Sequence, residues 1–118
     1  MSATILCYPT CSTCKKAEKW LIENAIEHNI RPIKELNPTI DELKLWIKLS
    51  SLPISKFFNT SGLLYKELKM KDKVKLLSDD ELIEILASNG LIVKRPLVIT
   101  DNKVLVGFKE DQWSTLLK

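Results

Sequence analysis

The order of apolar and polar residues divides the chain into segments with the periodicity of strands and helices. A continuous apolar run that ends at Tyr8 predicts a buried first strand over residues 3–8. Residues 12–29 predict a long helix that fades toward its end, with apolar side chains four residues apart at Ala17, Leu21 and Ala25. Residues 29–34 predict a second strand, and Pro32 favours a sheet edge because proline has no N–H to donate. The opening therefore predicts a β-α-β unit.

The middle of the chain has helical signals of uneven length. Thr39 and Ser78 are each followed three residues later by a glutamate, which predicts a capping box at the start of a helix. The second of these helices should end at Gly90. Between residues 55 and 75 the apolar pattern is short and broken, which predicts short helical turns around the polar loop 59–62.

After Gly90 the apolar period changes to two, as expected for strands. Residues 96–100 and 103–108 predict a hairpin whose turn is Asp101-Asn102. A last helix is expected over residues 111–117. The strands and the helix form a β-β-α unit.

The predicted fold class is α/β, with a βαβ half and a ββα half separated by a helical insertion. We expect one domain over residues 1–118, with a core formed by residues 1–38 and 91–118 and an insertion at residues 39–90. A chain of 118 residues with 45% hydrophobic content is long enough for one core and too short for two.

Charge and cysteine content exclude several classes of protein. The net charge of +3 is spread along the chain, whereas nucleic-acid-binding proteins usually carry a clustered basic stripe. The sequence contains neither an apolar run of membrane-spanning length nor a signal-peptide pattern, so we expect a cytoplasmic protein with no direct nucleic-acid or membrane contact. Three cysteines in that compartment indicate redox or metal chemistry rather than a structural disulfide framework.

The motif Cys11-Ser12-Thr13-Cys14 lies between the first strand and the first helix. Unpaired N–H groups and the helix dipole favour a thiolate at a helix start, so we expect a lowered pKa for Cys11, where the effect should be strongest. Cys14 lies one turn further along the same face and can attack a disulfide formed at Cys11. A pair of inert buried thiols is the alternative interpretation.

A zinc site is another interpretation of these cysteines, since Cys7, Cys11, Cys14 and His28 would supply the four ligands of a Cys₃His site. About four helical turns of 5.4 Å would separate Cys14 from His28, far more than a coordination sphere allows. We therefore predict no metal site, with Cys7 as a small core residue and His28 at the surface.

The β-α-β and β-β-α halves, the Cys-x-x-Cys motif and the pair Arg95-Pro96 together resemble the thioredoxin fold, and more narrowly the arsenate reductase (ArsC) family, which includes the regulator Spx. The resemblance covers nearly the whole chain, in residues 8–17, 82–96 and 106–108. It implies a cis bond before Pro96, next to the active thiol.

The resemblance also implies roles for individual residues. Cys11 corresponds to the nucleophile of the arsenate reductases, and Arg95 to one of their three oxyanion-binding arginines. Asn59 and Phe108 occupy the positions of the other two, with Lys109 next to Phe108. Arsenate is therefore doubtful as the substrate, since an oxyanion prefers bidentate guanidinium partners. We predict the catalytic residues Cys11, Cys14 and Arg95 and the substrate-binding residues Ser12, Thr13, Asn59, Pro96 and Lys109.

The function that follows from this resemblance is that of a thiol–disulfide oxidoreductase acting on a small-molecule or protein disulfide. We expect no bound cofactor, with glutathione, a thioredoxin or a glutaredoxin as the reductant, and a monomeric protein. The alternative is an Spx-like redox sensor that binds the RNA polymerase α subunit. Spx has a longer charged tail than this chain and an arginine at the position of Ser61.

Overall fold

The computed structural model describes residues 3–8 and 11–117, so Pro9 and Thr10, which belong to the stretch that resembles the ArsC family, lie outside the described residues. The elements follow the predicted order, and their bounds are β1 (Ala3–Cys7), α1 (Ser12–Glu23), β2 (His28–Pro32), α2 (Ile40–Ser50), α3 (Leu63–Glu67), α4 (Met70–Leu76), α5 (Asp79–Ser88), β3 (Leu97–Ile99), β4 (Val104–Val106) and α6 (Glu110–Leu117). Two short 3₁₀ helices span Ile54–Phe57 and Gly90–Ile92.

The four strands form one sheet in the order β2-β1-β3-β4. β1 and β2 are parallel, whereas β3 is antiparallel to both β1 and β4. The sheet ends with β2 on one side, and Pro32 lies opposite Cys7 in its register. The predicted edge position of the second strand is therefore confirmed.

The first helix is shorter than its apolar pattern predicts. It ends at Glu23 in a Schellman motif, in which the N–H groups of Ala25 and Ile26 donate to the carbonyl oxygens of Ile22 and Leu21 at 3.1 and 3.0 Å. The side-chain amide of Asn24 also donates to the carbonyl oxygen of Trp20, at 2.8 Å. Ala25 then adopts a left-handed conformation with φ of 54°, which ends the helical path. The prediction of a helix reaching residue 29 is wrong, and β2 begins one residue earlier than predicted, at His28.

Apolar side chains cover both faces of the sheet. One face packs against the helices between β2 and β3 through a cluster that includes Leu6, Ile33, Leu43, Trp46, Phe57, Phe58, Leu86 and Leu97. The other face packs against α1 and α6 through a cluster that includes Ile5, Cys7, Cys14, Ala17, Leu21, Val98 and Trp113. Alternating residues of β1 therefore contribute to different clusters, and Cys7 shares its cluster with Cys14.

The segment before β3 is tied to the 3₁₀ helix Ile54–Phe57, and this fixes the approach to Arg95. The N–H of Lys94 donates to the carbonyl oxygen of Phe57 at 2.7 Å, and Phe58 forms an isolated bridge with Val93. Gly90 packs so closely that a Cβ there would lie 2.0 Å from the carbonyl oxygen of Ile33. Any side chain at Gly90 would push this segment away from the sheet.

Candidate thiol active site

Cys11 and Cys14 lie at the start of α1, as the motif predicts. Cys11 is the N-cap residue in an extended conformation, and its N–H donates to the carbonyl oxygen of Tyr8 at 2.9 Å. Cys11 is partly exposed, whereas Cys14 in the first turn is only 3% exposed. All three cysteines of the chain are free thiols.

The contacts that stabilise a thiolate converge on Cys14. Its pKa is lowered to about 6, chiefly by a hydrogen bond from the Cys7 thiol, although burial opposes this shift. The backbone N–H of Tyr8, the thiol of Cys11 and the positive charge of Arg95 lower the pKa further. The sequence analysis predicts that the helix start stabilises a thiolate most strongly at Cys11, whereas the stabilising interactions found in the structure are those of Cys14.

Cys7 is the protonated partner in this arrangement. Its hydrogen bond to Cys14 raises the pKa of the Cys7 thiol well above the ordinary value, and burial and the nearby charges of Cys14, Cys11 and Glu18 add to the shift. The sequence predicts a small core residue, and Cys7 is indeed buried, but it also shares a buried cluster with Cys14 of the Cys-x-x-Cys motif. The alternation of β1 was the available signal, since Cys7 shares a face with Ile5, and that face packs on α1.

Arg95 approaches the thiols from the segment before β3. The Arg95–Pro96 peptide bond is cis, which confirms the geometry that the family resemblance implies. The guanidinium carbon lies 5.3 Å from the centroid of the Tyr8 ring, and Nη1 donates to the carbonyl oxygen of Leu91 at a long 3.5 Å. Within the described chain, Nε of Arg95 is a buried side-chain nitrogen without a hydrogen-bond partner. The guanidinium therefore retains donors for an anionic ligand.

A cavity of about 360 Å³ lies next to the start of α1 and is lined by several basic side chains. Its described lining residues are Thr13, Leu52, Lys56, Lys94, Arg95, Val106, Gly107, Phe108, Lys109 and Gln112. We call it the cationic cavity, because four of these residues are basic and none carries a carboxylate. Three of the predicted site residues, Thr13, Arg95 and Lys109, line this cavity. Lys56 and Lys94 line it too and were not predicted. Lys94 precedes Arg95 directly, which was the available sequence signal.

The other predicted site residues lie around this cavity. Ser12 is the exposed first residue of α1, and buried Pro96 accepts a hydrogen bond from the N–H of Gly107 at 2.9 Å. Asn59 is not among the described lining residues, and its N–H donates to the carbonyl oxygen of Ile92 at 2.8 Å. Phe108 does line the cavity, where its ring centroid is 4.7 Å from that of Trp113.

A second cavity lies on the side of the thiols that faces β2. Its volume is about 320 Å³, and its described lining residues are Cys7, Tyr8, Cys14, Lys15, Glu18, Ile30 and Pro32. We call it the β2-side cavity. Cys7 and Cys14, the two most buried thiols, are therefore accessible through the β2-side cavity, and neither is among the described lining residues of the cationic cavity.

Metal ligation has no support among the described residues, which contain no group of three or more His, Cys, Asp or Glu placed to hold an ion. His28 lies opposite Ala3 in the sheet register, at the other end of β1 from Cys7. The imidazole Nδ1 of His28 contacts the carbonyl oxygen of Ile26 at 2.8 Å instead.

None of the described helices is both long enough and apolar enough to span a membrane.

Comparison with known proteins agrees with this geometry. A model of the ArsC family matches residues 6–116. The uncharacterised protein YusI of Bacillus subtilis is 50% identical over 113 residues, covering 96% of both chains. The global transcriptional regulator Spx of Staphylococcus epidermidis is 29% identical over 109 residues, covering 92% of this chain and 82% of Spx.

Solved structures give the same result for the fold. The structure of an ArsC-family-related protein from Bacteroides fragilis superposes with a TM-score of 0.96 at 57% identity, covering 100% of this chain and 98% of that one. A protein described as a possible arsenate reductase from Streptococcus mutans superposes with a TM-score of 0.87 at 36% identity, covering 95% and 97%. The predicted thioredoxin-like α/β fold is confirmed.

Proposed function

Because the chain belongs to the ArsC family, we propose that it is a thiol–disulfide oxidoreductase that works through Cys11 and Cys14. The observation that carries this proposal is the position of the two thiols at the start of α1, where Cys11 is the partly exposed N-cap residue and Cys14 is buried in the first turn. The lowered pKa of Cys14 supports it. A buried structural cysteine would need no such stabilisation of its thiolate.

The difference in exposure between the two thiols supports an order of action in which Cys11 reacts first. Cys11 is the more accessible, so its sulfur attacks one sulfur of a substrate disulfide while its proton passes to the Cys14 thiolate. The second substrate sulfur leaves as a thiolate. Cys14 then loses its proton to solvent and attacks Cys11, which releases the remaining substrate thiol and leaves a Cys11–Cys14 disulfide. The substrate is reduced by two electrons, and the protein is oxidised by two.

The cationic cavity favours substrates that carry a negative charge. Arg95 has unused donors there, and Lys56, Lys94 and Lys109 add point charges to the same space. Thr13 of α1 brings the helix start to this cavity, which adds the partial positive charge of the helix dipole. A carboxylate-bearing disulfide or a small oxyanion fits this environment better than a neutral disulfide.

Arsenate itself should be a poor substrate, because lysine does not reproduce the bidentate contacts of the two arginines that Asn59 and Phe108 replace. Each missing charged hydrogen bond is worth roughly 1.5–3 kcal/mol, so the two together cost about two to four decades in efficiency.

The proposal is tested by comparing an anionic disulfide, a neutral disulfide and arsenate in an assay coupled to glutathione and glutaredoxin. We expect turnover of the disulfides, faster for the anionic one, and little turnover of arsenate. Cys11→Ser should strongly reduce turnover, because it removes the more accessible of the two thiols. Arg95→Ala should reduce it more than Lys109→Ala, because only Arg95 also lowers the pKa of Cys14.

Lys19→Ala is the control, since Lys19 is an exposed residue on α1 that does not line the cationic cavity. Full activity of the Cys11→Ser variant would refute the enzyme assignment. Arsenate turnover equal to that of a three-arginine reductase would refute the substrate assignment.

The second candidate function is that of a redox-sensing regulator that binds the RNA polymerase α subunit. It is supported by the similarity to the transcriptional regulator Spx over most of the chain. Retention of the α subunit by immobilised protein, dependent on the oxidation state of Cys11 and Cys14, together with absent disulfide turnover, would favour this candidate.

We also propose a compartment, an oligomeric state and a reductant for the reaction. The protein works in the cytosol as a monomer, with no bound cofactor, and glutathione, a thioredoxin or a glutaredoxin returns its disulfide to two thiols. The net charge of only +3 supports a partner that is neither nucleic acid nor membrane.

A further inference from the structure

The chain has a third thiol that the Cys-x-x-Cys mechanism does not use. Cys7 at the end of β1 belongs to the same buried cluster as Cys14, and partly buried Cys11 packs against that cluster. Cys7 and Cys14 also line the same cavity on the β2 side, and Cys14 interacts with both Cys7 and Cys11. Cys14 is therefore the middle member of three sulfurs in series.

We propose that Cys14 exchanges disulfide partners between Cys11 and Cys7, so that Cys7 is a third redox-active cysteine. The inference rests on the proposed function, because the exchange in the wild-type protein starts from the Cys11–Cys14 disulfide that the reaction produces. It adds a residue outside the Cys-x-x-Cys motif to the reaction and a second side from which the oxidised protein is reduced.

The exchange is a balanced internal step. The deprotonated Cys7 sulfur attacks Sγ of Cys14 in the Cys11–Cys14 disulfide, so that a Cys7–Cys14 bond forms and the Cys11–Cys14 bond breaks. The electron pair of the broken bond leaves on Cys11, which takes up the proton that Cys7 released. No electrons enter or leave the protein, and Cys11 becomes free to meet another substrate.

The protonated state of Cys7 in the reduced protein does not prevent this step. Its pKa is raised chiefly by its hydrogen bond to Cys14, and the charge of the Cys14 thiolate contributes as well. Once Cys14 is part of a disulfide, that negative charge no longer exists. Burial of Cys7 still disfavours its thiolate, but the largest cause of the shift has been removed.

The β2-side cavity gives the second disulfide its own access. Cys7 and Cys14 both line it, whereas Cys11 is not among its described lining residues. A small thiol that enters there can attack the Cys7–Cys14 disulfide without entering the cationic cavity. Of the Cys-x-x-Cys segment, Thr13 lines the cationic cavity, whereas Cys14 lines the β2-side cavity. The anionic substrate would therefore meet Cys11 beside the cationic cavity, and the reducing thiol would enter from the β2 side.

Disulfide mapping by differential labelling tests the exchange. All three cysteines lie in one tryptic peptide, residues 1–15, so digestion alone cannot distinguish the pairings. The wild-type protein is oxidised with oxidised glutathione and quenched in acid, and its free thiols are blocked with N-ethylmaleimide in denaturant. It is then reduced and labelled with iodoacetamide, and peptide fragmentation locates the two labels.

In the wild-type protein we expect two populations. In one the maleimide is on Cys7, which reports the Cys11–Cys14 disulfide, and in the other it is on Cys11, which reports the Cys7–Cys14 disulfide. Cys11→Ser should lose both of its free thiols on oxidation without retaining glutathione. The double variant Cys7→Ser/Cys11→Ser is the matched control and should retain glutathione on Cys14, with circular dichroism checking that both variants fold.

The inference is overturned if the wild-type protein carries maleimide on Cys7 alone and oxidised Cys11→Ser retains glutathione on Cys14. If the wild type still reduces disulfides in that case, the proposed function survives and only the role of Cys7 is lost. If no intramolecular disulfide forms and no turnover occurs, both proposals fail.

Discussion

At the scale of single residues, the chemistry of the site depends on what surrounds the Cys14 sulfur. Two thiols and one backbone N–H donate to it, and Arg95 adds a positive charge. The pKa of about 6 lies below the ordinary value of 9.0, so a thiolate is present through the whole neutral range. The group loses its charge only as the pH falls through about 6. The thiolate is held by hydrogen bonds from other residues, in addition to its position in the first turn of a helix.

The absorbance of the thiolate at 240 nm should therefore titrate with a midpoint near pH 6 in the reduced protein. Cys7→Ala should move this midpoint upward, because it removes the hydrogen bond that contributes most to the shift. Cys11→Ser is the matched control, since its hydroxyl can still donate to Cys14 and the midpoint should stay low. A wild-type midpoint near the ordinary value of a thiol would contradict this account.

At the scale of elements, a charged pair joins the edge strand β2 to the start of α2. The guanidinium of Arg31 donates to both carboxylate oxygens of Glu42 at 2.6 and 2.8 Å, and its carbon lies 5.6 Å from the centroid of the Trp46 ring. The same carboxylate accepts the N–H of Thr39 in the predicted capping box. Hydrogen bonding to Arg31 is the main reason that the pKa of Glu42 falls to about 2.

This pair predicts an acid-dependent loss of stability. A lowered carboxylate pKa stabilises the fold fully above the unfolded value near 4.5, and that stabilisation is lost as the pH falls toward 2. Glu42→Gln keeps the capping geometry but removes the charge. Because the pair is partly exposed to solvent, we expect a loss of about 1 kcal/mol at pH 7 and little difference from the wild type near pH 2.

Glu81→Gln provides the control, since Glu81 forms the second capping box, with Ser78. Among the described residues Glu81 forms no ion pair. Urea unfolding of both variants between pH 2 and 7 measures the effect. Equal losses for Glu42→Gln and Glu81→Gln would show that the ion pair contributes nothing.

At the scale of the whole molecule, the helical insertion shares its core with the sheet. Leu6 of β1 and Leu97 of β3 pack in the same cluster as Leu43 and Trp46 of α2. The opposite face of the sheet packs against α1 and α6, which carry Trp20 and Trp113. β1 and β3 contribute side chains to both clusters. Unfolding of the helices on one face would therefore expose that face of the sheet and weaken the support for the cluster on the other face.

We therefore expect one cooperative unfolding transition, in agreement with the prediction of a single domain. Trp46→Phe leaves tryptophan fluorescence only on the α1 and α6 side, and the double variant Trp20→Phe/Trp113→Phe leaves it only in α2. Each variant should give the same urea midpoint by fluorescence as by far-ultraviolet circular dichroism. An earlier transition reported by Trp46 would show that the insertion unfolds by itself.

The sequence by itself determined the features that depend on local chemistry. Apolar periodicity predicted the order of strands and helices, and the glutamates after Thr39 and Ser78 predicted helix starts at capping boxes that the structure contains. Pro32 predicted the edge strand through its missing N–H. The Cys-x-x-Cys segment lies at the predicted start of α1, and the Arg95–Pro96 bond is cis as the family resemblance implies. Each of these signals is carried by residues that are neighbours in the chain.

Only the tertiary structure decided the features that depend on packing between distant segments. The end of α1 was missed for a local reason, because the N–H groups of Ala25 and Ile26 close the helix and apolar spacing does not report such bonds. Lys56 joins Arg95 at the cationic cavity only because the segment before β3 bonds to the 3₁₀ helix Ile54–Phe57. The contact of Cys7 with Cys14 likewise requires α1 to pack on one face of β1. Periodicity assigns a side chain to a face, but the partner across that face is fixed by the fold.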